Sequence, residues 1–464
     1  MAVSNLANEF DRLVQKARAE RSKLGAVRDQ VVQALYCEAQ QIAGRVVKTE
    51  EKKRDLDRII DNIVTSKIFG YPLMLALLSV VLWLTISGAN RPSALLADLL
   101  FGFEHKLTSF FRWVGAPAWL HGVLVSGMYR CLAWVVSVML PPMAIFFPLF
   151  TFLEDLGYLP RVAFNLDQLF KKAGAHGKQV LTMCMGLGCN AAGVIACRII
   201  ESPRERLIAI LTNNFMPCNG RFPTLIAMAV VFLGVLSGGA HSLVAAALVA
   251  GAVVFGVLVT LAVSWTLSKT LLKGVPSTFT LELPPYRLPK IGPLLVRSVL
   301  DRTLFVLMRA VAVAAPAGAL TWLLANLRVG DLSILAHLAG WLQGFGHAIG
   351  LDGFIVLAFI LGLPANETVI PILIMGYLAQ GMMVEPDSID ALRAVLVNQG
   401  WTWLTAVNMM LFSLLHFPCA TTLLTIRKET QSPKWTVLAA VLPTGVAILV
   451  CFGLTQLVRA LGLV

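Results

Sequence analysis

Two stretches decide the fold: GLGCNAAG at Gly186–Gly193 and GLPANETVIP at Gly362–Pro371. Each lies in the middle of an apolar segment, 180–197 and 353–379. Glycine and proline there free backbone groups that lipid cannot pair, and such groups are tolerated only inside protein or beside a polar cavity. Each stretch is followed, after a loop, by a long apolar segment interrupted by a Pro-Cys pair, in MPCNGRFP (Met216–Pro223) and HFPCATT (His416–Thr422). The order Gly-Leu-x-x-Asn, then Pro-Cys, therefore occurs twice.

The surrounding composition says what solvent these breaks meet. Of 464 residues, 57% are apolar and 14% charged, with mean hydropathy +0.76, whereas a soluble domain carries about 25% charged residues. Eight cysteines are too sparse for a disulfide scaffold, and the glycines and prolines are scattered through apolar segments, which excludes collagen-like, disordered and coiled-coil chains. What remains is an all-α, polytopic membrane bundle. Segments near the 20 residues a span needs are 68–88, 121–153, 180–197, 206–236, 240–267, 303–325, 353–379, 400–426 and 435–458.

If all nine crossed, Lys269–Arg302, rich in lysine and arginine, would face outward against the positive-inside bias. If 180–197 and 353–379 instead enter and return on the same side, the inside regions hold 30 Lys/Arg and the outside regions 6. Charge thus favours seven spans plus two re-entrant elements, one from each face. Discontinuous helices that meet from opposite faces form midplane substrate sites in inverted-repeat transporters. The net charge of +12 is accounted for as a topology signal, with no nucleic acid implied.

Residues 1–67 stand apart from the transmembrane domain 68–464, with 13 Lys/Arg, 10 Asp/Glu and no apolar run long enough to span. Leu6, Phe10, Leu13, Val14 and Ala17 recur at helical spacing, a second such stretch runs from Val27 to Val47, and a charged cluster follows at Lys48–Arg58. This reads as a short cytoplasmic helical region. Ser93–Val114 is amphipathic and is expected along the interface, with Phe101, Phe103, Phe110, Phe111 and Trp113 toward the lipid headgroups. Lys273–Lys290 reads as a cytoplasmic loop.

The breaks also carry chemistry. Cys189, Cys218 and Cys419 stand at three of the four interruptions, with Asn190, Asn219 and Asn366 beside them. Glu367 is an ionisable group within an apolar segment, by default a functional residue. Sulfur ligands with a few oxygens suit a first-row transition metal better than Mg²⁺ or Ca²⁺. Cys37, Cys131 and Cys451 read as small buried hydrophobes, and Cys184, Cys197, Met183 and Met185 as packing residues. Glu154 and Asp155, at the end of the second span, either pass a cation or cap helices and pair with Arg161. His176 reads as structural, and Arg204 and Arg206 as topology signals.

The run FLEDLGYLPR (Phe152–Arg161), AHGKQ, MGLGCNAAG and ESPRERLIAILTNNFMPCNGRFP, with HFPCATTLLTIRKETQSPKW (His416–Trp435), closely resembles the membrane domain of FeoB-type ferrous iron transporters. The similarity extends from about Asp57 to Val464. It implies a bacterial inner-membrane permease with its N-terminus cytoplasmic, two gates (about 180–236 and 353–426), and Fe²⁺ as cargo. The cysteines implicated in moving the ion fall on Cys189 and Cys218, and Cys419 matches the later Pro-Cys cysteine. The second gate reads PANE where many members have a Lys-Glu sequence. The family normally begins with a GTP-binding domain, yet no G-x-x-x-x-G-K-[ST] run occurs here; the nearest string is AGAHGK (Ala173–Lys178). The resemblance therefore implies a split system, with a separate GTP-binding protein docking on residues 1–67. A small accessory cytoplasmic protein and a homo-oligomer are also expected, and no enzyme activity or bound nucleotide in this chain. Transport of an organic solute such as a nucleoside, or a membrane scaffold without cargo, are the alternative readings.

Overall fold

In the computed structural model, residues 15–16, 31, 33–46, 51–66, 68–233, 241–274, 285–287, 289–379, 381–383 and 389–462 are described. The chain divides into two compact units, 1–60 and 61–464. In the first, residues 33–46 are helical and exposed, Cys37 included, so Cys37 is no buried hydrophobe. A helix follows over Glu51–Val64. The apolar spacing at Leu6–Ala17 lies outside the described residues.

The second unit is a polytopic helical membrane bundle. Among the described residues, seven helices are long and apolar enough to cross a bilayer: Gly70–Trp113, Ala118–Asp155, Pro203–Phe232, Ala250–Lys269, Val306–Asn326, Trp403–Thr430 and Pro433–Ala460. These are the seven segments that hydropathy and charge single out. The remaining two are hairpins. The first pairs Gln179–Gly188 with Asn190–Ala196, and the second pairs Gly353–Leu361 with Val369–Tyr377.

Hydrogen bonds across their mouths show that both hairpins turn back. Lys178 Nζ, before the first arm of the first hairpin, donates to Ile199 O (3.3 Å) and Glu201 Oε1 (3.4 Å) beyond its second arm. Asp352 caps the second hairpin through Ile355 N (2.7 Å) and accepts a hydrogen bond from the Tyr377 hydroxyl at its far end. The mouths lie at opposite ends of one span. Trp401 Nε1, just before Trp403–Thr430, donates to Tyr377 Oη (2.9 Å). Near the other end of that span, Glu429 binds Arg198 of the first hairpin through both carboxylate oxygens (2.8 and 2.7 Å). The hairpins thus dip from opposite faces.

One expectation is overturned. Ser93–Val114 is no separate surface helix: it continues the first span as a single 44-residue helix with Pro92 inside. At 1.5 Å per residue that helix is about 66 Å long. Packing against the second span outweighs the hydrogen bond lost at proline: Tyr129 Oη donates to Leu100 O (2.8 Å), His121 Nε2 lies 3.0 Å from Thr108 Oγ1, and the Phe103 and Tyr129 rings are 5.8 Å apart. Phe103, Phe110 and Trp113 are exposed, while Phe101 and Phe111 are half-buried. Arg130, within the second span, pairs with Glu104 at 3.6 Å. The stretch before the second hairpin is also structured, with a small strand pair (Arg328–Val329 and Leu332–Ser333) and the helix Ile334–Ala348, which bends by 110° into Gly353–Leu361.

Candidate functional site

All four interruptions place an extended residue between helical turns. Cys189 (φ −154°, ψ 124°) and Ala365 (φ −151°, ψ 114°) end the first arms of the two hairpins, each just before an asparagine. Cys218 (φ −83°, ψ 168°) and Cys419 (φ −61°, ψ 159°) follow prolines in the two broken spans, Pro203–Phe232 and Trp403–Thr430. Extended backbone there turns the side chain away from its own helix and toward the neighbouring break. Glycine permits the close approach: a Cβ on Gly188 would lie 2.5 Å from Phe146, and one on Gly220 would lie 2.7 Å from Glu367 Oε2.

Cys189, Asn190, Cys218, Asn366, Glu367 and Cys419 all line one cavity of about 30 Å³, close to the volume a single water molecule occupies. Three oxygens of its wall, Asn366 Oδ1, Glu367 Oε1 and Thr421 Oγ1, are buried with no hydrogen-bond partner among the described residues. Buried acceptors are ordinarily paired, so this chamber presents unused acceptor capacity. Asn190 plays a second part, because its amide lies among Asn213, Asn214 and Gly186, and Asn213 Nδ2 donates to its backbone oxygen at 3.2 Å. That network ties the first hairpin to the first broken span. Trp134 Nε1 of the second span donates to Glu367 O at 3.3 Å, and Ala420 N donates to Leu363 O at 2.8 Å, which fixes the second hairpin against Cys419.

Among the described residues, no three His, Cys, Asp or Glu side chains form a group that could hold a metal ion. The thiols share a chamber without closing on one point. Wall residues missed by sequence reasoning are Met139, Thr421 and Thr422. For Met139 the available signal was the Pro141–Pro142 pair in mid-span.

A second, larger space of about 680 Å³ is lined by Glu154, Met185, Ala192, Arg198, Arg309, Lys428 and Glu429, and Val306 borders both it and the central chamber. Glu154 therefore faces a vestibule. Asp155 is exposed and takes no part in its wall. Of the two readings of this carboxylate pair, the one that pairs it with Arg161 has no such contact among the described residues. Instead Arg161 is buried, binds Asp61 (2.9 and 3.3 Å) and Gly157 O (2.6 Å), and stacks on the Tyr286 ring at 3.9 Å. Tyr286 Oη in turn donates to Asp61 at 2.9 Å. Burial raises the Asp61 carboxyl, but the hydrogen bonds from Arg161 and Tyr286 and the guanidinium charge hold it below the usual aspartate range. His176 is buried, and its Nδ1 accepts from Lys178 N at 3.0 Å. Burial pushes its pKa below the usual histidine range, as suits a structural residue.

Comparisons with known proteins agree with this geometry. A family model described as "Gate: Nucleoside recognition" matches residues 136–232 and 307–433, and one described as "Ferrous iron transport protein B C terminus" matches 249–301. The Fe(2+) transporter FeoB of Staphylococcus aureus (strain MSSA476) is 30% identical over 459 residues, covering 97% of this chain and 65% of that protein. The chain resembles the membrane domain of FeoB-type transporters. The Fe(2+) transporter FeoB of Methanocaldococcus jannaschii is 26% identical, covering 94% of this chain and 64% of that FeoB protein. A Porphyromonas gingivalis relative named as a fusion of Fe(2+) transport protein A with FeoB is 25% identical, covering 85% of this chain and 50% of the fusion. This chain thus spans about 65% of the length of the FeoB relatives named first, and it is a multi-pass membrane protein. No solved structure matches it.

Proposed function

We propose that this chain carries Fe²⁺ across the bacterial inner membrane, with its N-terminus in the cytoplasm, and that it is a transporter and not an enzyme. One observation carries the reading: Cys189, Cys218, Cys419 and two unpaired oxygens, Asn366 Oδ1 and Glu367 Oε1, meet in a single water-sized chamber where four helices break. A cation arriving from the side of the second hairpin's mouth sheds its water there, and sulfur and oxygen replace it. It leaves through the vestibule past Glu154. A conducting site must bind weakly enough to release, which suits a chamber whose thiols converge without forming a closed cage. The lipid bilayer is the surrounding partner.

The family also motivates partners. We assign residues 1–67, rich in charge and without a run long enough to span, to docking a GTP-binding protein. A small accessory protein is suggested by the relative named as a fusion with Fe(2+) transport protein A. Self-association of the membrane domain and the absence of nucleic acid and bound nucleotide complete the reading. A partner biases the two gate states only if it binds them with different affinity.

Iron-55 uptake tests the site. Cells carrying Cys189→Ser or Cys218→Ser at the wild-type membrane level should lose most uptake. Undiminished uptake removes these thiols from the path.

A further inference from the structure

Arg221 is fully buried within a membrane-spanning segment, 0% exposed, one turn beyond Cys218. Its Nη1 donates to Asn214 O (2.7 Å) and Leu414 O (2.8 Å). Its Nη2 reaches Asn214 Oδ1 (3.1 Å), His416 O (3.2 Å) and Phe417 O (3.2 Å). The last three carbonyls named here from the 414–417 stretch are those that the second broken span frees just before Cys419. Asn214 Oδ1 also lies 3.4 Å from the Asn190 amide, so the same node reaches the first hairpin. One guanidinium therefore links three of the four interruptions around the chamber.

Freed carbonyls in a bilayer must find donors, and the planar fork of arginine serves several at once where lysine offers a point charge. Neutral amides could serve some of these acceptors without bringing a charge into the membrane, where charge is costly. The charge sits three residues beyond Cys218 and on the carbonyls just before Cys419, beside two walls of the cation chamber. A fixed positive charge behind those walls opposes a bound cation, which is what release requires.

We propose that Arg221 is a positioning residue with a second duty: it fastens the two Pro-Cys breaks together, and its charge keeps a cation between Cys218 and Cys419 loosely held. The proposal rests on the cation reading above.

The test uses the full chain in proteoliposomes, comparing wild type, Arg221→Gln, Arg221→Lys and Asn214→Asp. Fe²⁺ flux against concentration gives half-saturation and maximal rate, and near-ultraviolet thiolate-to-Co²⁺ absorption gives binding directly. Arg221→Gln should tighten Co²⁺ binding and lower Fe²⁺ half-saturation by about tenfold, the order expected when a nearby charge is removed from a medium of intermediate dielectric, while maximal flux falls. Arg221→Lys keeps the charge but loses the fork, so flux falls at near-wild-type half-saturation. Asn214→Asp sets a carboxylate against the guanidinium and should tighten binding without removing Arg221, which preserves the test where Arg221→Gln does not fold. Unchanged or weaker binding in Asn214→Asp and in any folded Arg221→Gln overturns the electrostatic duty. A wild-type protein that neither moves Fe²⁺ nor shows Co²⁺–thiolate absorption overturns the cation reading itself.

Discussion

Ala365 stands at the tip of the second hairpin in the backbone conformation that Cys189 adopts at the tip of the first, within 3° in φ and 10° in ψ, and both line the same chamber. Three of the four equivalent positions carry sulfur, and the fourth carries a methyl group.

Placing the missing thiol there should strengthen the site too far. Ala365→Cys is expected to bind Co²⁺ about tenfold tighter, equivalent to about 1.4 kcal/mol, and to slow iron-55 uptake because release becomes limiting. Faster uptake with unaltered Co²⁺ binding would show that Ala365 does not share the ion's position.

Gly220 offers a steric test of Glu367. A methyl at that position would meet Glu367 Oε2 at 2.7 Å, and overpacking of this kind costs about 1–3 kcal/mol. Gly220→Ala should displace the carboxylate and reduce uptake by roughly tenfold, the scale of an ångström-sized misplacement at a working site. Uptake at the wild-type rate, with the protein present at normal membrane abundance, would remove Glu367 from the path.

The Arg161, Asp61 and Tyr286 cluster predicts an acid dependence. The Asp61 pKa is depressed in the folded protein, so its contribution is fully present above the unfolded carboxylate value, near pH 4, and is lost as pH falls through the folded value. Thermal unfolding of detergent-solubilised protein between pH 7 and pH 3 should show this loss in wild type, and Asp61→Asn should lack that component. At neutral pH Asp61→Asn is expected to be destabilised by about 3 kcal/mol, since it leaves the buried Arg161 charge without its partner. Equal pH profiles for the two proteins would contradict the pairing.

Arg198 and Glu429 fasten the first hairpin to the C-terminal end of the second broken span on the vestibule wall. Arg198 is largely exposed, so the pair should contribute only about 0.5–1 kcal/mol to stability. Its removal should show in access instead. Arg198→Ala is expected to speed labelling of Cys189 by a small thiol reagent added on the vestibule side, and the exchanged pair Arg198→Glu with Glu429→Arg should restore the wild-type rate. Labelling at the wild-type rate in Arg198→Ala would mean that the pair holds nothing closed.

Much of this architecture was legible from local pattern. Apolar runs located the seven spans, and the placement of Lys and Arg identified the two segments that turn back. The Gly, Pro and Cys breaks pointed to Cys189, Cys218, Cys419, Asn366 and Glu367, because a helix interrupted in lipid must face something polar. What escaped was decided by partners distant in sequence. The continuity of Gly70–Trp113 through Pro92 depends on Tyr129 and His121, the pairing of Arg161 depends on Asp61 a hundred residues earlier, and the place of Met139 in the chamber depends on how the second span leans against both hairpins. Asp155 lies off the vestibule wall for a simpler reason: adjacent positions on a helix point in different directions, and of the two carboxylates Glu154 lines it.

A chamber of about 30 Å³ has consequences for rejection as much as for capture. An ion still wearing its complete aqueous shell is too bulky to pass, so the toll is dehydration, levied before sulfur or oxygen preference can act. Mg²⁺ sheds water reluctantly, so under the proposed function it would be turned away at that threshold.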